Sequence, residues 1–175
     1  YLGRKHVEKF GSKTAFLVKA IDSLVRLSIQ VHPDRKTAKE LFKSNYGKTE
    51  CWYIMGGRQI NGENSYILLG FKPDASKEKW KECFYKQDID GMINMLHKIY
   101  VKPGEVYFLE GGTPHAIGPG CFLIEIQEPT DYTLRVERTA HNGSIINDEL
   151  CHQGIGFENM LNSFHYDNYT LKETL

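Results

Sequence analysis

Gly104-Glu105-Val106-Tyr107-Phe108-Leu109-Glu110-Gly111-Gly112-Thr113-Pro114-His115-Ala116-Ile117-Gly118 is the stretch on which the reading of this chain turns. Glu105 to Leu109 is rich in β-branched and aromatic side chains and reads as a strand. Gly111-Gly112 turns the chain, and Pro114 fixes the loop that carries His115. A second turn, Gly118-Pro119-Gly120, leads to another strand, Cys121 to Gln127. A histidine presented on a stiff loop between short strands is a candidate ligand or catalytic group.

The same texture extends in both directions. Thr14 to Ile21, Leu24 to Val31, Glu50 to Met55, Ser65 to Phe71 and Thr133 to Val136 also read as strands. Gly56 to Asn64 is a hairpin-type connection, rich in Gly and Asn. Asp34 is a suitable N-cap for a helix from about Lys36 to Lys43. A helical insertion at about 76–99 has two parts. Ser76 caps the first, with Trp80 and Phe84 apolar. Asp88 caps the second, with Ile89, Met92, Ile93, Leu96 and Ile99 at helical spacing. From Ala140 the sequence becomes polar and irregular, with a short helix near Glu158 to Leu161. Many short strands, glycine turns and one helical insertion predict a mainly β protein, a jelly-roll sandwich or small barrel.

At 175 residues the chain fits one domain, or one domain with an extra lobe. Hydrophobic residues make up 41% and charged residues 25%, enough apolar material for a core. Lys+Arg and Asp+Glu are 22 each, so no basic excess points to nucleic acid. No apolar run approaches the roughly 20 residues of a membrane span, and no signal peptide is read. Cys51, Cys83, Cys121 and Cys151 form no C-x-x-C pair. They are expected as reduced thiols in a cytoplasmic protein, with Cys51 a small core residue.

Three segments can supply metal ligands. Gln30 and His32 stand two apart on a predicted strand, so both side chains share a face while Val31 points to the other. Glu50 opens another strand, and His115 follows its glycine turn. Two imidazoles, one carboxylate and one amide oxygen suit a single divalent metal with room for water or substrate. Taken one at a time, His32 and His115 read as ordinary surface or turn histidines.

The wording of these segments goes further than their spacing. Leu27-Ser28-Ile29-Gln30-Val31-His32-Pro33-Asp34, then Gly47-Lys48-Thr49-Glu50-Cys51-Trp52-Tyr53, then residues 104–118, then Ile124-Glu125-Ile126-Gln127-Glu128-Pro129-Thr130-Asp131-Tyr132-Thr133-Leu134-Arg135 resemble the type I mannose-6-phosphate isomerases, in the family's order. The resemblance covers roughly Phe16 to Arg138. It implies a cupin fold, a β jelly roll holding one zinc per chain, with ligands at Gln30, His32, Glu50 and His115. It also implies catalytic roles for Lys48, Asp131 and Arg135, and places Ser28 near the substrate phosphate. Residues 1–139 would form the catalytic cupin domain. Members carry further sheet, often a second cupin-like domain, so 140–175 reads as an extension or as the start of such a lobe.

The implied reaction interconverts mannose 6-phosphate and fructose 6-phosphate through a cis-enediol, with zinc as Lewis acid. The base stays open among a water on the metal, Asp131, Lys48 and another carboxylate. Bland readings stay open too: Lys48 as a turn lysine, Asp131 as a turn cap, Arg135 paired with Glu125 or Glu137, Arg138 as an exposed arginine. Two other functions fit the same fold. One is a sugar-sensing cupin that keeps the metal without turnover. The other is a metal-dependent dioxygenase, which Gln30 in place of a histidine disfavours. The expected partner is a small sugar phosphate, with no nucleic acid or membrane; the oligomeric state is not legible.

Overall fold

The computed structural model describes residues 1–174. Two antiparallel sheets face each other. One has the order β1 (Leu17–Asp22), β8 (Cys121–Gln127), β3 (Glu50–Gly57), β6 (Val106–Leu109). The other has the order β5 (Leu96–Tyr100), β4 (Tyr66–Phe71), β7 (His115–Ile117), β2 (Gln30–Val31), β9 (Leu134–Arg135). Neighbours in each sheet are distant in sequence, as in the cupin jelly roll that the sequence predicts.

Two apolar clusters follow from strand alternation. Between the sheets, Trp52, Ile54, Ile67, Leu69, Ile117 and Leu123 fill one end of the barrel. Outside the five-stranded sheet, Val31, Leu68, Leu96, Ala116 and Leu134 pack under helices α3 (Lys77–Lys86), α4 (Ile89–Asn94) and α6 (Gly156–Asn162), which contribute Trp80, Phe84, Met92, Met160 and Leu161. Residues beyond 140 thus pack directly on the barrel. Ser76 and Asp88 cap α3 and α4, accepting from the backbone N–H of Lys79 and Gly91. Asp34 caps α2 (Arg35–Phe42) by accepting from Thr37.

Several elements differ from the sequence reading. Leu96 and Ile99 were predicted on a helix, but α4 ends at Asn94 and Leu96–Tyr100 is a strand paired with β4. Leu96 and Ile99 suit a helical face, yet His97, Ile99 and Val101 also alternate with exposed Lys98 and Tyr100, and pairing with β4 favours period two. The strand predicted over 24–31 shrinks to Gln30–Val31. Upstream, single bonds from Leu27 N–H to the Ile117 carbonyl and from Val136 N–H to the Ile29 carbonyl hold the segment. His115–Ile117, read as loop, is a central strand. Helices α1 (Arg4–Phe10), α5 (Asp148–His152) and α7 (Leu171–Thr174) carry weak periodicity and were not anticipated.

The outward face of the four-stranded sheet is apolar and exposed. Val18, Phe122, Ile126, Tyr53, Met55, Val106 and Phe108 share it. Cys51, expected in the core, lies half-exposed on this face, because Glu50 and Trp52 take the inward positions on either side of it.

Trp80→Ala should therefore lower the unfolding free energy by about 3–5 kcal/mol in urea titrations followed by circular dichroism. Trp80→Phe should cost much less, since the buried indole N–H has no hydrogen-bond partner among the described residues. Phe108→Ser, on the outward face, should cost under about 1 kcal/mol.

Candidate metal centre

At the end of the barrel opposite the apolar plug, the inward positions become polar. Glu50 begins β3, His115 begins β7, and Gln30 lies beside His115 in the sheet register. His32 follows directly after β2. One ligand-type atom each from His32, Glu50 and His115 lies within 4.8 Å of the others, and all three residues are buried. Gln30 Nε2 is 3.2 Å from His115 Nε2. Swapping amide nitrogen and oxygen, which are interchangeable in shape, puts the Gln30 oxygen at that point. The loops bearing these residues approach closely at glycines. A Cβ on Gly47 would lie 2.6 Å from the Pro33 carbonyl oxygen, and one on Gly111 2.6 Å from Asp34 Cα. Both positions therefore require glycine.

The hydrogen bonds set the tautomers. His32 Nδ1 is 2.7 Å from the Tyr132 carbonyl, and His115 Nδ1 is 2.8 Å from the Thr113 carbonyl. A carbonyl only accepts, so each Nδ1 carries the ring proton and each Nε2 turns a lone pair inward. Burial pushes both imidazoles toward neutrality. His115 falls to about 3, with His32 adding to the effect, and His32 is lowered by burial and by Lys48. Burial works against ionisation of Glu50, but the contacts from His32, His115 and Lys48 outweigh it and hold the carboxyl below the usual range. With both rings neutral, the cation touching Glu50 is Lys48. Its Nζ lies 2.7 Å from Glu50 Oε1 and 2.9 Å from His32 Nε2.

These groups fit a metal. His32 Nε2 is 3.1 Å from Glu50 Oε1, and His115 Nε2 is 4.0 Å from Glu50 Oε2. The His32 lone pair already meets the Lys48 ammonium at 2.9 Å, and a metal taking that lone pair would replace this contact. Bonds of about 2.0–2.2 Å to one zinc would set such donors roughly 3–4 Å apart, close to the spacing present. Each imidazole is already oriented by a backbone carbonyl, as metal-bound histidines are.

Trp52 forms the floor. Its Nε1–H donates to Glu50 Oε2 at 2.9 Å and to Glu125 Oε2 at 3.2 Å, and its ring meets His115 edge-on at 5.5 Å between centroids. Glu125 is a buried carboxylate that sequence reasoning treated only as a pairing partner for Arg135. It pairs instead with Lys19 at 3.3 Å. Burial and the charge of Glu50 push its carboxyl up. It shares strand parity with Cys121, Leu123 and Gln127, and a charged residue at a core-facing parity was the available signal.

The other candidates lie further out. Arg135 pairs across the sheet with Gln30, its guanidinium Nη1 donating to the Leu150 carbonyl at 3.1 Å. It pairs with neither Glu125 nor Glu137; Glu137 binds Arg26, and Arg138 binds Asp148. Asp131 is 81% exposed in its side chain, 3.4 Å from Lys19. It lines an open cavity of about 560 Å³ with Lys13, Tyr46 and Tyr132. Ser28 is half-buried, two residues before Gln30.

The chain is similar to known proteins in sequence and in fold. A sequence profile described as phosphomannose isomerase type I, catalytic domain, matches residues 1–54. The probable mannose-6-phosphate isomerase GmuF of Bacillus subtilis is 36% identical over 137 residues, covering 76% of this chain and 41% of the relative. The mannose-6-phosphate isomerase of Streptococcus mutans is 37% identical over 136 residues, covering 75% of this chain and 40% of the relative. The crystal structure of the Bacillus subtilis mannose 6-phosphate isomerase superposes with a TM-score of 0.71 at 33% identity, over 94% of this chain and 51% of that one. The chain thus spans about two fifths of the length of the curated relatives it matches. On this sequence and structural likeness, the chain belongs to the type I phosphomannose isomerase family.

Proposed function

We propose that this chain carries the metal-binding core of an aldose–ketose isomerase acting on mannose 6-phosphate and fructose 6-phosphate. The observation that carries the reading is the convergence of two neutral imidazoles on one buried carboxylate, with Lys48 against it, in a chain 36% identical to a probable mannose-6-phosphate isomerase. Gln30, His32, Glu50 and His115 would hold one zinc. The mixed nitrogen and oxygen donors, without thiolate, suit a metal used for chemistry. A zinc there supplies Lewis-acid polarisation of the sugar oxygens on which negative charge develops.

The remaining work falls to the side chains. Isomerisation moves a proton between adjacent carbons of the open-chain sugar through a cis-enediol. Lys48, held by Glu50, offers positive charge at the site. Arg135 offers a planar fork of donors for an enediolate or phosphate oxygen. Asp131 lines the open cavity beside Tyr132, where it can meet a hydroxyl of incoming sugar. Ser28, near Gln30, would face the phosphate. Trp52 and the apolar plug beneath it keep water from the inner side. The proton-transferring base stays open among a water, Lys48, Asp131 and another carboxylate of the site, and Glu125 joins that set. No described helix is long and apolar enough to cross a membrane. All four cysteines are free, which suits a cytoplasmic setting.

The chain loaded with zinc should interconvert the two sugar phosphates in a coupled assay and bind one zinc. His115→Ala should lose that zinc at neutral pH. Retention of one tightly held zinc by this variant would remove His115 from the ligand set.

Arg135→Lys should lower kcat by about 10–100-fold, with zinc content and circular dichroism unchanged. A rise in KM alone would assign Arg135 to phosphate binding.

Acid should act through the two histidines. Their folded pKa values lie below the unfolded value near 6.5, so unfolded chains bind more protons as pH falls below that value. Metal-free stability should therefore be fully present above about pH 6.5 and decline progressively as pH falls toward 3. Added zinc, which also requires neutral rings, should move this decline to lower pH in thermal melts. A decline unaffected by zinc would place the sensitive groups elsewhere.

A further inference from the structure

His165 lies outside the ligand set and far from it in sequence, yet it touches both loops that carry the histidines. Its backbone N–H donates to the Gly112 carbonyl at 2.9 Å, and the Gly112 N–H donates to the His32 carbonyl at 2.7 Å. Its ring packs directly against Gly112: a Cβ there would lie 2.5 Å from ring carbons Cγ and Cδ2, and Gly112 has φ +93°. Its Nε2 is 3.0 Å from Asp34 Oδ2. The other oxygen of Asp34 accepts from the Thr37 N–H at 2.7 Å and so caps α2. One imidazole thus joins the segment just after His32 to the turn just before His115.

The backbone that presents this ring is firmly held. Phe164 before it is buried in the apolar cluster under the helices, and Tyr166 after it stacks on Phe71 at 5.3 Å between centroids. The ring itself is nearly half exposed, with side-chain exposure of 45%. Its replacement therefore leaves the core closed.

We infer that His165 is a positioning residue for the metal centre, a clip from the C-terminal segment that fixes the separation of His32 and His115. This rests on the metal reading above. The donors can converge on one ion only if the two loops keep their spacing. Without the ring, that spacing rests on the pairing of β2 with β7 at Gln30 and His115, the Gly112–His32 backbone bond and the contact of Gly111 with Asp34. The effect belongs to metal affinity more than to folding, because the ring adds little buried area while its hydrogen bond lies one step from each ligand loop.

The experiment titrates zinc against a competing chelator at neutral pH for the wild-type chain, His165→Ala and His165→Gln, with melting temperatures of the metal-free proteins alongside. His165→Ala should weaken zinc binding by about 10–100-fold while its metal-free melting temperature stays within a few degrees of wild type. His165→Gln, whose amide N–H can still reach Asp34, should recover most of the affinity. Wild-type affinity in His165→Ala overturns the inference. So does equal loss in the Ala and Gln variants accompanied by a large drop in metal-free melting temperature, which marks a purely structural residue. A wild-type chain that takes up no zinc overturns the metal reading itself, and the clip with it.

Discussion

The carboxylate of Glu50 is 1% exposed, and the open end of the barrel is organised by the need to compensate it. An ion removed from water must be matched by charge and hydrogen bonds or it gives up its charge. Here one oxygen takes the Lys48 ammonium and the other the Trp52 indole N–H. The two imidazoles then turn lone pairs toward the same space, because backbone carbonyls at Tyr132 and Thr113 claim their protons. Each partner constrains a different segment. Lys48 ties the start of β3 to His32, Trp52 ties the floor to Glu125, and the carbonyls fix two loops. One buried charge thus draws together side chains from four separate stretches of chain, those of His32, Lys48 to Trp52, His115 and Glu125.

Legibility in the sequence followed the range of the interaction. Glu50, Trp52 and Ile54 alternate with Cys51, Tyr53 and Met55, and short-range alternation of that kind marks the strands. Helix caps at Ser76 and Asp88 were readable because the capping bond spans three residues. Leu96–Tyr100 was misread because its apolar spacing satisfies two periods, and only pairing with β4, nearly thirty residues upstream, decides between them. His115–Ile117 was read as loop because its three residues are too short to show a period. Cys51 looked like core because parity alone cannot tell which side of a sheet is covered.

The site was legible to the extent that its residues come in long, specific strings. Gln30, His32, Lys48, Glu50 and His115 stand within such strings, and the fold brings them together. Arg135 reads as a strand residue, but its place beside Gln30 and its bond to the Leu150 carbonyl depend on long-range pairing and on α5. Glu125 was visible as a residue and passed over as a site member. Its role in the network depends on sharing an indole N–H with Glu50 across β3 and β8. His165 was invisible, since nothing near it in sequence announces a contact with Gly112.

The apolar outward face of the four-stranded sheet has a thermodynamic consequence. Val106, Phe108, Tyr53, Phe122 and Ile126 present hydrocarbon and aromatic surface, and the ion pairs Asp22–Arg58 and Arg35–Glu128 lie at its margins. The cost of wetting such a face is mainly entropic near room temperature and carries a large heat capacity. Any association through it is therefore favoured by warming from the cold and by sulfate or phosphate salts, and carries a negative heat-capacity change. Simple ionic strength hardly affects it, because there is little charge to screen. Any association through this face thus answers to temperature and salt type more than to simple ionic strength.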